Sequence, residues 1–305
     1  MIPKTVHFVF GLADDFLYRF WTLLNHVCVM SAVDRLKPDR VLFHCGSEPL
    51  GPWWRLTRPH VEVVRIKPPE DVFGNKLLHY AHKADVVRLK VLLEHGGIYL
   101  DSDVFVHRDF DDLLAHSVVM GEEGRGPGQI DGLCNGVILA EPNAPFLHRW
   151  FDEYRWFRSR GKDEFWGEHS VRLPLKLARE HPDEITIMPY NTFHWPIAND
   201  EGFNLLYGPW PGYDPRSTHA NHLWQSEAKP HELDLTPGKV RRMDSAFARW
   251  ASPYLADLAD DFGLPDPVFR IRRTLRHLKR KYVADTVFRG RRKLRHLKRK
   301  YFGER

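Results

Sequence analysis

The chain has 305 residues, of which 43% are hydrophobic and 28% charged, as in a globular protein with one large domain or two small ones. Its apolar runs are too short for a secretory signal or a bilayer-spanning helix, so we expect neither. Three cysteines, Cys28, Cys45 and Cys134, are too few and too widely spaced for a disulfide framework or a zinc site. Their number favours a reducing cytoplasm.

The net charge of +5 is the difference between two parts of opposite sign. Residues 268–305 contain 16 lysines and arginines and two acidic residues, whereas the preceding part contains 29 basic and 38 acidic residues. An acidic body is therefore followed by a strongly basic tail. The tail is the candidate for binding an anionic partner.

Strand and helix patterns alternate along the body of the chain, which predicts an α/β sheet with helices on its faces. The helix before Gly96-Gly97 is expected to end there, because a helix end needs a residue that tolerates left-handed backbone. The glycine-rich segment 121–132 is predicted to be a mobile loop, and the aromatic segment 190–224 an irregular wall over the sheet edge. Strands are predicted at 6–10, 40–45, 61–66, 98–100, 117–120 and 136–140, and helices at 16–33, 77–95, 145–160 and 168–180.

The strand at 98–100 runs directly into Asp101, Ser102 and Asp103. Strand carboxyl ends are where open α/β sheets bind ligands, and two carboxylates this close repel each other unless a cation joins them. We therefore predict a divalent metal site that holds the diphosphate of a nucleotide-sugar. Alternatively, both aspartates are solvated residues at a strand end. A second Asp-x-Asp at 109–111 is interpreted as the polar start of a helix.

Asp85 and Arg88 lie three residues apart in the preceding helix and so share one face. One interpretation is an intrahelical ion pair. The other is that this face looks onto the metal site, with Arg88 near phosphate or sugar and Asp85 accepting hydrogen bonds from sugar hydroxyls.

Three segments together resemble the DXD-containing sugar transferases of glycosyltransferase family 32. They are Ile-Pro-Lys-Thr-Val-His at 2–7, Ala-Asp-Val-Val-Arg at 84–88 and Gly-Gly-Ile-Tyr-Leu-Asp-Ser-Asp at 96–103. That family includes initiating mannosyltransferases, α-1,4-galactosyltransferases and bacterial capsule or glycolipid enzymes. The resemblance is specific over residues 76–106, looser through residue 226, and does not include the tail.

The resemblance implies a GT-A fold with a Rossmann-like mixed sheet, a nucleotide-sugar donor, a Mn²⁺ or Mg²⁺ ion and transfer with retention of configuration. UDP-sugars are favoured, by analogy with the bacterial members. Asp101 and Asp103 match the metal and donor motif, in which Ser102 lies between them. Asp85 and Arg88 match the donor-sugar contacts.

A second part of the resemblance lies at residues 220–226, which are similar to a His-x-Trp element near the end of the domain. His222 would then be a third metal ligand or a pyrophosphate contact, with Trp224 beside it. His219 is the competing histidine, and an ordinary half-buried histidine is the plainer interpretation of His222. Glu227 replaces a tryptophan that is common in the family.

On the acceptor side, Asn135 falls where similar enzymes place an asparagine facing the acceptor. Glu122, Glu123 and Asp131 lie in the glycine-rich segment before it, and each is a candidate contact for the acceptor hydroxyl. A solvated acidic loop is the alternative for these three residues.

The tail contains a repeat, because residues 268–282 recur as 287–301 with two differences. Apolar residues at helical spacing on a basic background predict two amphipathic helices. Such helices suit an anionic membrane surface; another subunit and nucleic acid are rival partners, although the acidic body would repel nucleic acid. We therefore divide the chain into a catalytic domain (1–240), a linker or helical extension (241–267) and the basic amphipathic tail (268–305).

Taken together, these features predict a metal-dependent retaining glycosyltransferase that moves a hexose from a nucleotide-sugar to a saccharide or lipid-linked acceptor. Bacterial polysaccharide or glycolipid synthesis, in the cytoplasm at the inner face of the membrane, is the expected setting. The alternatives are a GDP-mannose-dependent mannosyltransferase, a non-catalytic protein that binds sugar nucleotides or polyanions, and a nucleotidyltransferase or hydrolase. The last would need further carboxylates around the metal.

Overall fold

The computed structural model describes residues 1–13, 20–124, 126, 128–209, 215, 218–228 and 235–264. Residues 1–263 form one compact unit, and the second unit begins at Leu264. The predicted amphipathic repeat at 268–305 lies outside the described residues. Across the described part of the chain, no helix combines the length and the apolar character needed to cross a bilayer.

The described elements follow one another in a strand–helix alternation. The strands are β1 (Thr5–Phe10), β2 (Arg40–Cys45), β3 (Glu62–Arg65), β4 (Asp71–Val72), β5 (Asn75–Lys76), β6 (Gly97–Leu100), β7 (Val104–Val106), β8 (Val118–Gly124), β9 (Ile130–Ala140), β10 (Thr186–Met188) and β11 (Ala220–His222). The helices are α1 (Leu23–Leu36), α2 (Pro52–Thr57), α3 (Tyr80–His95), α4 (Pro145–Asp152), α5 (Leu173–Glu180), α6 (Asp200–Tyr207), α7 (Pro237–Arg242) and α8 (Ala246–Ala251).

Seven strands form one mixed sheet in the order β10-β8-β9-β6-β1-β2-β3. Strands β6, β1, β2 and β3 are mutually parallel, so their carboxyl ends meet at one edge. Strand β9 runs antiparallel to both β6 and β8. The prediction of an α/β sheet with flanking helices is confirmed.

The register between β6 and β9 brings two distant segments to that edge. Leu100 lies opposite Val137, and the backbone N–H of Asp101 donates to the carbonyl of Gly136 at 2.8 Å. Because the strands are antiparallel, the first half of β9 reaches the carboxyl end of β6. Asp101 and residues 134–136 therefore lie side by side.

Alternation along β6 decides which way its side chains point. Ile98 and Leu100 belong to the apolar cluster that contains the buried residues of α1, whereas Tyr99 belongs to the cluster of α3, α4 and α5. Successive side chains in a strand point to opposite faces, so Asp101 follows Tyr99 on the α3 side.

The turn between α3 and β6 requires glycine, as predicted. Gly96 has φ +63° and Gly97 has φ +106°, and a side chain at Gly97 would begin 2.4 Å from the carbonyl oxygen of Thr5. Nε2 of the buried His7 donates to the Gly96 carbonyl at 2.9 Å, and its Nδ1 accepts from Nε2 of His44 at 3.0 Å. This histidine pair holds the turn from inside the core.

The prediction of a mobile loop at 121–132 was wrong at both ends. Strand β8 continues to Gly124 and β9 begins at Ile130, because Gly121, Glu122 and Glu123 pair with Cys134, Leu133 and Gly132 after a register shift. The glycines permit this irregular pairing instead of ending the strands.

Several helix boundaries also differ from the prediction. The helix predicted at 16–33 begins at Leu23, because Thr22 caps it by accepting from the N–H of Asn25; residues 14–19 lie outside the described part. The helix predicted from residue 77 begins at Tyr80, and the one predicted at 145–160 ends as α4 at Asp152, before a 3₁₀ turn. The segment predicted as an irregular wall contains α6 and β11.

Candidate active site

Asp101 lies at the carboxyl end of β6 and is held from the α3 side. Its Oδ1 accepts a hydrogen bond from the Tyr99 hydroxyl at 2.6 Å and lies 3.3 Å from a guanidinium nitrogen of Arg88. Burial raises the pKa of Tyr99 well above its ordinary value, so the phenol stays protonated and donates. These contacts fix the orientation of the Asp101 carboxylate.

His222 reaches the DXD segment through a separate two-stranded ladder. Strand β11 pairs antiparallel with β7, and the register places His222 opposite Val104, the residue after Asp103. Nε2 of His222 lies 3.2 Å from Oδ1 of Asp103. Burial disfavours the charge on both partners, but their mutual attraction outweighs it, so the pKa of His222 is raised and that of Asp103 is lowered.

Asp101, Asp103 and His222 together offer the donor set of a divalent metal site. One ligand atom from each lies within 4.8 Å of the others. The space between them is bounded by Gly136, where an added Cβ would lie 3.2 Å from Oδ2 of Asp101 and 3.3 Å from Cε1 of His222. Two carboxylates and an imidazole suit Mn²⁺ or Mg²⁺, so the residues present fit the implied metal.

The competing histidine lies elsewhere. His219 is 5% exposed, and its Nε2 faces both carboxylate oxygens of Asp112 at 3.1 and 3.2 Å. Burial is the main cause that lowers the pKa of His219. Of the two candidate histidines, the structure therefore brings His222, and not His219, to the DXD segment.

The loop between the two aspartates is tied to α1. Oδ2 of Asp103 accepts from the backbone N–H of Gln225 at 2.8 Å, and the Gln225 side chain accepts from Nδ2 of Asn25 at 3.1 Å. The same Asn25 amide donates to the Ser102 carbonyl at 3.1 Å. Sequence reasoning missed Asn25 and Gln225, because their partners are distant in the chain.

Trp224 covers His222 from one side. The two rings lie 4.1 Å apart between centroids and are tilted by 36°. Its backbone has φ +54°, an uncommon conformation for a bulky residue, and its Nε1 donates to the Pro196 carbonyl at 2.9 Å. The conformation of Trp224 is thus set by its surroundings, which makes it a fixed wall of the site.

Asp85 and Arg88 are both buried on the face of α3 that looks onto the site. They lie 3.3 Å apart as an intrahelical ion pair, and Arg88 also lies 3.3 Å from Asp101 of the DXD segment. Their contacts to phosphate and sugar stay a prediction. Arg88 also donates to the Asn135 carbonyl and stacks on Tyr99, 4.5 Å from the ring centroid. The guanidinium is therefore the centre of a buried network that spans α3, β6 and β9.

Asn135 completes this network. Its Nδ2 donates to Oδ1 of Asp85 at 2.8 Å. Burial opposes the charged form of Asp85, but His82, Arg88 and Asn135 outweigh it and lower the pKa of this carboxyl. Asp85 is thus a buried carboxylate prepared to accept further hydrogen bonds.

Of the three acidic candidates on the acceptor side, Glu123 is the one whose charge acts on His222. Burial raises its pKa, and it interacts electrostatically with Cys134 and His222. Glu122 instead accepts from the backbone N–H of Tyr190 at 3.3 Å, and Asp131 is exposed at the start of β9.

Sequence analysis did not identify Tyr99 and His82 as site residues, although the spacing of each from a predicted site residue indicates its position. Tyr99 lies two residues before Asp101 in a strand, a spacing that puts both on one face. His82 lies three residues before Asp85 in a helix, a spacing that makes them neighbours. Gly136 had no such signal, since only the pairing of β6 with β9 brings it to the site.

The chain is similar to several known proteins. Residues 58–120 match the family described as a glycosyltransferase sugar-binding region containing a DXD motif. Glucan organizing enzyme 1 of Cryptococcus neoformans var. grubii is 33% identical over 275 residues, which cover 86% of this chain and 73% of that protein. O-glycosyltransferase braB of Annulohypoxylon truncatum is 22% identical over 164 residues, or 47% of this chain and 38% of that protein.

The apo structure of WbbM, a bifunctional glycosyltransferase, shares the fold with a TM-score of 0.50 and 12% identity, over 84% of this chain and 50% of that one. The predicted GT-A fold is thereby confirmed, as is the prediction of a transferase. The chain therefore belongs to the DXD-containing glycosyltransferases.

Proposed function

We propose that the chain is a metal-dependent, retaining hexosyltransferase that uses a UDP-sugar and a saccharide or lipid-linked acceptor. The supporting observation is that the ligand atoms of Asp101, Asp103 and His222 converge within 4.8 Å, beside the buried pair of Asp85 and Arg88. The 33% identical relative is named a glucan organizing enzyme, and this name favours a saccharide acceptor.

In this proposal Asp101, Asp103 and His222 hold Mn²⁺ or Mg²⁺, which when bound supplies positive charge to the departing diphosphate. Tyr99 and Arg88 orient Asp101, and the Gln225 N–H does the same for Asp103. The protein thus presents two fixed carboxylates in a partly buried setting, where their charge acts more strongly than in water.

Arg88 contributes through the two aspartates. Its guanidinium nitrogens are directed at Asp85, Asp101 and the Asn135 carbonyl. We assign it the role of neutralising and orienting both carboxylates, with Asp85 as the acceptor for donor-sugar hydroxyls. Asn135, on β9, fixes one oxygen of Asp85.

The acceptor hydroxyl would attack from the same face as the leaving diphosphate, a path that needs no covalent intermediate with the protein. Glu123 is the best-placed acidic side chain for the acceptor, because it interacts with His222. The screen described below identifies the donor sugar.

The proposed setting is polysaccharide or glycolipid synthesis at an anionic membrane surface in the cytoplasm. The basis is the repeat at 268–301, in which apolar residues recur at helical spacing among basic residues. Full-length protein and a variant with the lysines and arginines of 268–301 changed to glutamine would be floated with phosphatidylglycerol vesicles. Equal flotation of the two forms would end the membrane proposal.

The test of the activity is nucleotide release from UDP-glucose, UDP-galactose, UDP-N-acetylglucosamine and GDP-mannose, with and without Mn²⁺. Release from one donor, lost on metal removal and in Asp103→Asn, is expected. Asp109→Asn is the matched control, since Asp109 belongs to the exposed second Asp-x-Asp motif. Release in the Asp103→Asn variant equal to wild type would overturn the site, and release from GDP-mannose alone would replace the UDP-sugar by that donor.

A further inference from the structure

A buried histidine lies behind the carboxylate that the proposed function assigns to the donor sugar. His82, on α3, is 2% exposed, and its Nδ1 lies 3.4 Å from Oδ2 of Asp85. Phe157 and Trp166 pack around the ring, at centroid distances of 5.0 and 4.7 Å. The imidazole therefore has one orientation, in which it faces Asp85.

The other end of the ring is held as firmly. Nε2 of His82 lies 3.0 Å from the hydroxyl of Ser159, which is itself 2% exposed. That hydroxyl faces two groups that only accept, the Gly161 carbonyl at 3.0 Å and Oδ1 of Asp163 at 2.8 Å. These two contacts hold the hydroxyl in place beside Nε2 of His82.

The two oxygens of Asp85 are not equivalent. Oδ1 meets Nδ2 of Asn135 at 2.8 Å and Arg88 at 3.3 Å, which uses both of its acceptor positions. Oδ2 meets His82, its one partner among the described residues. The remaining acceptor position of this buried carboxylate is thus on the oxygen that His82 contacts.

We propose that His82 is a positioning residue for the donor sugar, fixing Oδ2 of Asp85 in the direction from which a sugar hydroxyl donates. Ser159 anchors the ring in turn, so the segment from Ser159 to Asp163 supports recognition of the sugar without touching it. This inference rests on the proposed role of Asp85. It predicts that His82 affects binding of the sugar part of the donor and not of the nucleoside diphosphate.

The test compares the dissociation constants of the donor that the screen selects and of its nucleoside diphosphate, by calorimetry with Mn²⁺ on the full chain. In His82→Asn the amide nitrogen replaces Nδ1 and keeps the contact to Asp85, whereas in His82→Gln it replaces Nε2 and keeps the contact to Ser159. We expect His82→Gln to weaken donor binding by about tenfold with the diphosphate unchanged, as for a lost hydrogen bond to a charged group. His82→Asn should stay within about threefold of wild type.

The matched control is His26→Gln. His26 is also a buried helix histidine whose Nδ1 meets a hydroxyl, that of Thr57 at 2.9 Å, so this change removes a comparable contact elsewhere in the core. It should lower the melting temperature and leave the ratio of the two dissociation constants unchanged. Ser159→Ala provides a second variant, expected to weaken donor binding less than His82→Gln does.

Four outcomes would decide against the proposal. Equal effects of His82→Asn and His82→Gln would show that the ring only fills space. Equal weakening of donor and diphosphate would show a general disturbance of the site. If Asp85→Asn leaves the ratio of the two dissociation constants unchanged, the assigned role of Asp85 is wrong, and so is the inference. If Asp85→Asn changes this ratio and His82→Gln does not, the inference alone is wrong.

Discussion

Nε2 of His222 lies 3.2 Å from Oδ1 of Asp103, at the point where the β7–β11 ladder meets the DXD segment. The contact joins an imidazole and a carboxylate from distant parts of the chain in a largely buried position, where each favours the charged form of the other. This pair defines one side of the proposed metal site, and Asp101 defines the other.

Removal of the imidazole should weaken metal binding. We expect His222→Gln to raise the Mn²⁺ concentration needed for half-saturation by about tenfold or more. Loss of a residue that only supports a metal ligand already weakens metal binding by about tenfold. Quenching of tryptophan fluorescence would measure it, since Trp224 packs on His222. His219→Gln is the control and should bind Mn²⁺ like wild type, because His219 pairs with Asp112. Equal weakening in both variants would contradict the assignment of His222.

A methyl group at residue 136 should obstruct the same site. The Cβ of Gly136→Ala would lie 3.2 Å from Asp101 and 3.3 Å from His222, closer than side chains normally approach. We expect Mn²⁺-dependent turnover to fall by about tenfold or more, since overpacking costs about 1–3 kcal/mol. In Gly167→Ala the nearest atom is 3.7 Å away, so this variant should behave as wild type in the same assay. Normal turnover in Gly136→Ala would show that the space between the ligands is not used.

The Tyr99 hydroxyl should support catalysis without being needed for folding. Tyr99→Phe removes its hydrogen bond to Asp101 and keeps the ring on which Arg88 stacks. We expect kcat to fall by about fivefold, as for the loss of about 1 kcal/mol, with little change in the melting temperature. Steady-state kinetics and circular dichroism would measure the two effects. A large loss of stability with unchanged kcat would assign the hydroxyl to folding instead.

Stability should fall in mild acid because of the histidine pair behind the Gly96 turn. Burial lowers the pKa of His7 to about 3 and that of His44 to about 4, whereas in the unfolded chain both are near the ordinary value of about 6.5. Below the unfolded value the unfolded state binds more protons, so this stabilisation is present above about pH 6.5 and is lost as the pH falls toward the folded values.

The measurement is urea unfolding of wild type and His44→Gln at about pH 7.5 and about pH 5. Each such histidine should contribute about 2 kcal/mol to the difference in the free energy of unfolding between the two pH values. Glutamine can still donate to Nδ1 of His7, so the variant removes one titrating group and keeps the contact. Its loss of stability between the two pH values should be smaller than that of wild type. An equal loss would show that other groups cause the acid sensitivity.

Local pattern was sufficient for the elements that carry the site. The run from Gly96 to Asp103 predicted a helix end, a buried strand and two carboxylates at its carboxyl end, because each feature depends on a few neighbouring residues. The same holds for Asp85 and Arg88, whose spacing fixes them on one helix face. The bulged pairing of β8 with β9 was not predictable in this way, since glycine permits both a loop and an irregular strand.

The sequence by itself thus determined an α/β protein with a DXD segment at a strand end, together with the identity of the residues available for chemistry there. Only the tertiary structure decided between His222 and His219, placed Gly136 beside the ligands, and brought Asn135 against Asp85. The reason is that strand register is a long-range property. A shift of one residue in β11 turns every side chain to the other face, and no pattern within one segment specifies which partner strand it meets.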